Sequence, residues 1–292
     1  RKLDTFDESG NFLDQFMNTH KRWKDKDYWL ALKRGTVKYH GRKYLTAFDY
    51  EQKFDGSFER IPEKKRINVT LWLRTIFVAV GVTFSCFLLA YPIAHILSVL
   101  PARYSNLLMI CVLLPFWTSL LVRTSSWMVL LQKQGVLNDI LVWAGFVADD
   151  GRLELMHNMT GTFIAMTQIL LPFMVLPLYS VMKTIPPSLM RAATSMGSTP
   201  FHAFRKIYFP LTYAGISAGS ILVFVLAIGY YITPALVGGS KGVLISNRIA
   251  YHMQKSLDWG LATAMAGILL IAVLVVYWVY NRLVGIDNMR LG

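Results

Sequence analysis

The stretch Arg191–Pro210, RAATSMGSTPFHAFRKIYFP, is small, polar and basic, and it lies between two long apolar runs. Leu189, Met190, Ala193 and Met196 recur at helical spacing on one face, and Phe201, Phe204 and Tyr208 do so after Gly197. Small residues at Ala192 and Ala193 allow a neighbouring helix to come close. Gly197 allows a tight reversal that a Cβ would obstruct. Ile207 and Pro210 stand just before the next apolar run. The spacing predicts two short helices about a turn at Gly197, presented between membrane spans as a docking element.

The composition around this stretch is that of a membrane protein. Of 292 residues, 54% are hydrophobic, and the mean hydropathy is +0.41, above the range of a soluble domain. Crossing a hydrocarbon core of ~30 Å takes roughly 20 apolar residues. Five runs meet this length: 69–100, 107–131, 161–182, 213–236 and 261–283. Arg123 interrupts the second, where a charge is costly unless it reaches water or a polar cavity. Pro92, Pro115, Pro172 and Pro177 lie in or near these runs and favour bent helices around a path. Cys86 and Cys111 fall inside apolar runs and read as packing residues.

A net charge of +13 raises nucleic acid as a partner, but the distribution of charge excludes it. Residues 1–68 mix both signs. Residues 183–212 carry Lys183, Arg191, Arg205 and Lys206 with no acid, whereas 132–155 carry Asp139, Asp149, Asp150 and Glu154 against Lys133 and Arg152. The bias of Lys and Arg toward the cytoplasm places 183–212 inside and 132–155 outside, and the single run 161–182 separates them. Counting back puts residues 1–68 outside, so an earlier span is expected to precede Arg1. In 11–33, Phe12, Phe16, Trp23 and Leu30 form a helical face amid charges, an interfacial cap or a contact surface for an external protein. The expected organisation is an extracytoplasmic region 1–68, a membrane domain 69–284 with the loop 183–212, and a cytoplasmic tail 285–292.

The Ala192-Ala193 pair, Gly197, Ile207 and Pro210 at this spacing resemble the EAA loop of ABC importer permeases. The resemblance implies that the loop docks in a groove of an ATPase, through Arg191, Ala192, Ala193, Gly197, Phe201, Phe204, Ile207 and Pro210. Arg191 stands where the family usually has glutamate. YPIAHIL (Tyr91–Leu97), LLPFWTSLLVRTSSWMVLLQKQGVLNDIL (Leu113–Leu141), ILLPFMVLPLYSVM (Ile169–Met182) and DWGLATAM (Asp258–Met265) further resemble spermidine/putrescine permeases over about 71–283.

The fold implied is an all-α polytopic helical bundle of the type I ABC importer permease kind, in the bacterial inner membrane, with five spans here and one preceding. The implied partners are a second homologous permease, two ATPase subunits, a periplasmic solute-binding protein and the lipid bilayer. The chain itself would bind no cofactor and no metal, ATP and Mg belonging to the ATPase. No phosphate-binding loop, HExxH or GxSxG occurs, so no catalytic residue is expected.

Pathway candidates are Trp117, Thr118, Arg123, Trp127, Gln168, Tyr230, Tyr231 and Thr233. Their aromatic faces suit a cationic amine, while the same Trp and Tyr residues also fit an interfacial belt. None of the five runs contains Asp or Glu. Spermidine/putrescine permeases can have an acid near the position of Pro234 in YYITPALVGG. The expected solute is a polyamine or related amine, with opines or amino-acid derivatives as the alternative. From another class, a secondary transporter or a receptor without an ATPase remains open; ion coupling would call for intramembrane ionisable groups, and only Arg74, His95 and Arg123 offer any.

Overall fold

The computed structural model describes residues 11–19, 21–26, 28–30, 32, 41–53 and 57–284. The chain divides into two units, Arg1–Val69 and Thr70–Gly292. In the first, α1 (Phe12–Thr19) precedes an aromatic group in which the Trp23 ring sits 5.2 Å from Tyr28 and 5.2 Å from Trp29. The side chains of Phe12 and Phe16, half of the expected helical face, lie outside the described residues, as does the tail 285–292. Next come α2 (Arg42–Thr46) and a hairpin of β1 (Tyr50–Gln52) and β2 (Phe58–Arg60), paired antiparallel with Tyr50 opposite Arg60. Asp49, in the left-handed region at φ 64°, is 1% exposed within this unit. Its carboxylate accepts from Asn68 N at 3.1 Å and Val69 N at 2.8 Å. An anion there satisfies amides that the helix itself leaves unpaired.

That helix, α3, runs Asn68–Val99. It is followed by α4 (Ala102–Leu113), a 3₁₀ turn Leu114–Trp117, α5 (Leu120–Leu130) and α6 (Val136–Trp143). Then come α7 (Met159–Thr184), α8 (Pro187–Ser195), α9 (Pro200–Ala203), a π-helical turn Phe204–Tyr208 and one α turn Phe209–Leu211. The chain continues through α10 (Tyr213–Gly229), α11 (Ile232–Val237), α12 (Ile245–Gln254) and α13 (Trp259–Val284).

Among the described residues, three helices, Asn68–Val99, Met159–Thr184 and Trp259–Arg282, are long and apolar enough to cross a membrane, or up to five spans if each of two bent pairs is one. The structure places a break inside two of the expected runs. Within 107–131, Ala102–Trp117 and Leu120–Leu130 meet at 98°. The run 213–236 ends as a helix at Gly229 and resumes at Ile232. Hydropathy registers solubility in lipid and is blind to the direction of the backbone, so both breaks escaped it.

The core is a set of stripes with a four-residue step. Val78, Val82, Cys86, Ala90 and Ala94 on α3 are fully buried, as are Met166, Leu170, Met174 and Leu178 on α7, and α10 contributes Val223 and Ala227. Residues four apart share one helix face, so each stripe is the seam along which a neighbour packs. The opposite faces are apolar and exposed, with Phe77, Phe84 and Leu88 on α3 and Leu270, Leu274 and Trp278 on α13. A surface apolar outside its seams is matched to lipid, where packing rather than release of water holds helices together.

The loop between α6 and α7 is pinned by polar groups. Fully buried Asn138 donates to the carbonyls of Gln132 at 3.1 Å and Leu153 at 3.0 Å, and accepts from Leu153 N at 2.9 Å. Arg152 spans Asp139 at 2.7 Å and Asp149 at 2.8 Å. Its hydrogen bonds to Asp149 and Asp139 push the guanidinium pKa up.

Candidate functional site

Two places gather the residues singled out by sequence. The first is the segment after α7. Pro187 occupies the first turn of α8, where no amide is needed, and the helix closes on a turn in which Gly197 N donates to Thr194 O at 3.0 Å and Ser198 N to Ala193 O at 3.1 Å. This Schellman closure requires a left-handed residue after the cap, and Gly197 has φ +88°. A Cβ there would meet nothing within 4 Å, so the glycine answers to the backbone angle of the expected tight reversal and not to crowding by neighbours. Thr199 then caps α9, its hydroxyl accepting from His202 N at 3.3 Å, with Pro200 in the first turn.

The residues of this segment divide between two faces. Ala193 is 3% exposed and Met190 half-buried, whereas Leu189 is exposed and Met196 is 81% exposed; the expected single face is therefore split. Arg191, Ala192, Gly197, Arg205, Lys206 and Pro210 are exposed, Phe201 is 74% exposed, and Ile207 is half-buried. Phe204 turns inward. It stacks on Tyr208 at 5.5 Å and meets the His95 ring at 5.9 Å and the Tyr91 ring at 6.2 Å.

The inner face is tied to the ends of the spans. His95 Nδ1 lies 3.1 Å from the Tyr208 hydroxyl, Ser98 Oγ donates to His95 O at 2.7 Å, and Lys183 Nζ donates to Ser98 O at 3.3 Å. The Tyr91 hydroxyl meets Thr212 Oγ1 at 3.3 Å, where the chain bends by 57° into α10. A cavity of about 560 Å³ opens between these groups and the prolines Pro186, Pro187 and Pro200. Phe204 and Tyr208 thus pack the segment against α3, to which Lys183 also ties α7.

The second place surrounds the two helix breaks. The Arg123 guanidinium donates through Nη2 to Thr118 O at 3.1 Å and sits 5.9 Å from the centroid of Phe116, whose ring meets Phe173 at 4.9 Å. One turn on, Trp127 Nε1 donates to Gln168 Oε1 on α7 at 2.9 Å. Fully buried Thr124 and Thr233 bring their hydroxyls within 3.3 Å and fasten α5 to α11. The Tyr230 hydroxyl stands beside Thr233 and within electrostatic reach of Arg123. Arg123, Trp127, Gln168, Tyr230 and Thr233 thus come together. Trp117 does not; it is 90% exposed. Thr118 contributes its carbonyl only, and the Tyr231 side chain is exposed outside the group.

Sequence reading missed what makes the second break affordable in lipid. Ser246 Oγ donates to Tyr230 O at 2.6 Å, and Asn247 Nδ2 to Tyr231 O at 2.7 Å, so α12 supplies the hydrogen bonds that the interrupted helix gives up. Thr75 Oγ1 on α3 accepts from Ile245 N at 2.9 Å and holds α12 in place. Gly229 and Pro234, bracketing two tyrosines, were the available signal. Ser246→Ala leaves a carbonyl unpaired and should destabilise the protein by ~1–3 kcal/mol. Thermal melting in detergent checks this, and melting at the wild-type temperature would mean that the break is supported elsewhere.

Residues 71–285 match the model of the binding-protein-dependent transport system inner membrane component family. The chain belongs to that family. Among relatives of this inner membrane component, the spermidine/putrescine transport system permease protein PotB of Escherichia coli (strain K12) is 36% identical over 214 residues, covering 72% of this chain and 77% of that one. The inner membrane ABC transporter permease protein YdcU of the same strain is 36% identical over 201 residues, covering 64% and 62%. A chain from the crystal structure of a bacterial alginate ABC transporter, in complex with its alginate pentasaccharide-bound periplasmic protein, superposes with a TM-score of 0.67 at 15% identity, over 96% of this chain and 95% of that one. That likeness establishes the fold, a type I importer permease bundle, for an inner membrane component that spans the membrane several times.

Proposed function

We propose that this chain is the permease subunit of an ABC importer and forms, with a second homologous permease, the path for a small organic amine of the spermidine and putrescine class. Two ATPase subunits carrying ATP and Mg dock on the segment 183–212 at the cytoplasmic face, and a periplasmic solute-binding protein delivers the solute from the side of residues 1–68. The observation that carries this reading is the match of 71–285 to inner membrane components, together with the names of the relatives. Supporting the amine are the π faces of Trp127 and Tyr230 in the group beside the helix breaks. In the mechanism that follows, closure of the ATPases pushes the exposed face of the segment, and the Tyr208–His95 and Lys183–Ser98 contacts pass the displacement to α3 and α7, tilting the spans between inward- and outward-open arrangements.

The test is ATP hydrolysis by the complete transporter in liposomes. Hydrolysis should rise when the loaded binding protein is added with putrescine or spermidine. A response to an anionic sugar or to phosphate, with none to any amine, would overturn the amine reading.

A further inference from the structure

Arg123 stands out in the group beside the breaks because its charge has no counterpart among the described residues. Among the described residues, ion pairs join Lys53 to Glu59 in the hairpin and, around α6 and the loop after it, Lys133 to Glu154 and Arg152 to Asp139 and Asp149. The sequence holds no Asp or Glu from 70 to 138 or from 155 to 257, the ranges that build the group. One carbonyl and one ring face the guanidinium, while its Nε is buried without a hydrogen-bond partner. An unpaired buried donor on a cation is costly, and in a membrane span such a residue calls for a partner.

The neighbours describe that partner. Trp127 lies one turn from Arg123 on α5, and Tyr230 approaches from the second break. A purely cationic solute would bring like charge against the guanidinium. A carboxylate can instead take its forked donors, the pairing for which arginine is best shaped, while an ammonium on the same solute rests on the Trp127 or Tyr230 face. We propose that Arg123 is a specificity-determining residue of the path, and that the transported amine also carries a carboxylate. This rests on reading the group as the solute path of an amine importer.

The experiment measures half-maximal stimulation of ATP hydrolysis in the reconstituted transporter with its own binding protein, using putrescine and ornithine, which differ by one carboxylate. Spermidine, 4-aminobutyrate and succinate complete the panel. Ornithine or 4-aminobutyrate should act at concentrations tenfold or more below putrescine. In Arg123→Gln that ratio should collapse toward one, and Arg123→Lys should keep part of it. The binding protein is the same throughout, so a change of ratio belongs to the permease. An arginine that merely holds the Thr118 break would weaken all solutes alike, and that result would overturn the proposal. So would a wild-type transporter that favours putrescine or spermidine, which leaves the amine reading standing. A response to succinate alone, with none to any amine, would sink both. The size of the assembled complex and its melting temperature in detergent show that the variants fold.

Discussion

Replacing Gly197 with valine is expected to leave the membrane bundle assembled and to cut solute-stimulated ATP hydrolysis severely. Gly197 closes α8 at φ +88°, a conformation that a β-branched residue adopts only at a strain of ~1–3 kcal/mol. This corresponds to about five- to 150-fold in the population of the native turn. Open space surrounds the position, so no neighbour need move and the penalty is local to the backbone. If the turn opens, Met196 and Phe201, the most exposed apolar side chains of the segment, no longer share the face proposed to meet the ATPase. Complexes should purify at normal size, with basal hydrolysis retained and stimulation and transport lost. A Gly197→Val transporter with wild-type stimulation would take the turn out of the coupling mechanism. Gly197→Asn is the control: asparagine tolerates left-handed angles and should retain most of the coupling.

Gly215→Leu should do the opposite and break the bundle itself. Gly215 and Gly219 bring α10 against α7 with almost no side chain between them. A Cβ on Gly215 would stand 3.1 Å from Leu178 Cα, from Pro177 O and from Val181 Cβ. Two of those atoms are backbone and cannot swing away, and leucine adds three further carbons beyond that Cβ. Overpacking of this kind costs ~1–3 kcal/mol and occasionally more. Since packing rather than water holds these helices together, little else compensates. Gly219→Ala meets chiefly the Met174 sulfur at 2.6 Å, on a flexible thioether that can shift, and should be milder. The check is the melting temperature and recovery of the complex in detergent, with Gly215→Leu far below Gly219→Ala. Equal melting of Gly215→Leu and wild type would show that α10 does not depend on this close approach.

The legible parts of the sequence were those governed by periodicity and charge. The long helices 68–99, 159–184 and 259–284 begin and end within a few residues of their apolar runs, because length and hydropathy are what a bilayer requires. The turn at Gly197 was legible because glycine is the residue that tolerates φ +88° without strain. The helix breaks were not. Thr118–Ser119 and Tyr230–Tyr231 are marked by no charge, and the polar groups that rescue the second break, Ser246 and Asn247, stand 16 residues further along the chain. Long-range satisfaction of carbonyls leaves no local signature. The inward turn of Phe204 was hidden for a related reason: a purely helical reading places it with Phe201, and the chain is not purely α-helical there.

That departure sets the phase of the helix that follows. In the π turn Phe204–Tyr208 the Phe209 amide reaches back five residues to Phe204 O, so the turn holds one residue more than an α-helix would. Pro210 supplies a reason, since its ring would crowd the Lys206 carbonyl in a tighter coil and it offers no amide. Each residue of an α-helix turns the chain by about 100°. Winding 204–208 as a regular α-helix, with no residue removed, would rotate all of α10 by that angle and carry Gly215 and Gly219 away from α7. The segment behaves as a screw thread in which one wide turn fixes where every later thread engages.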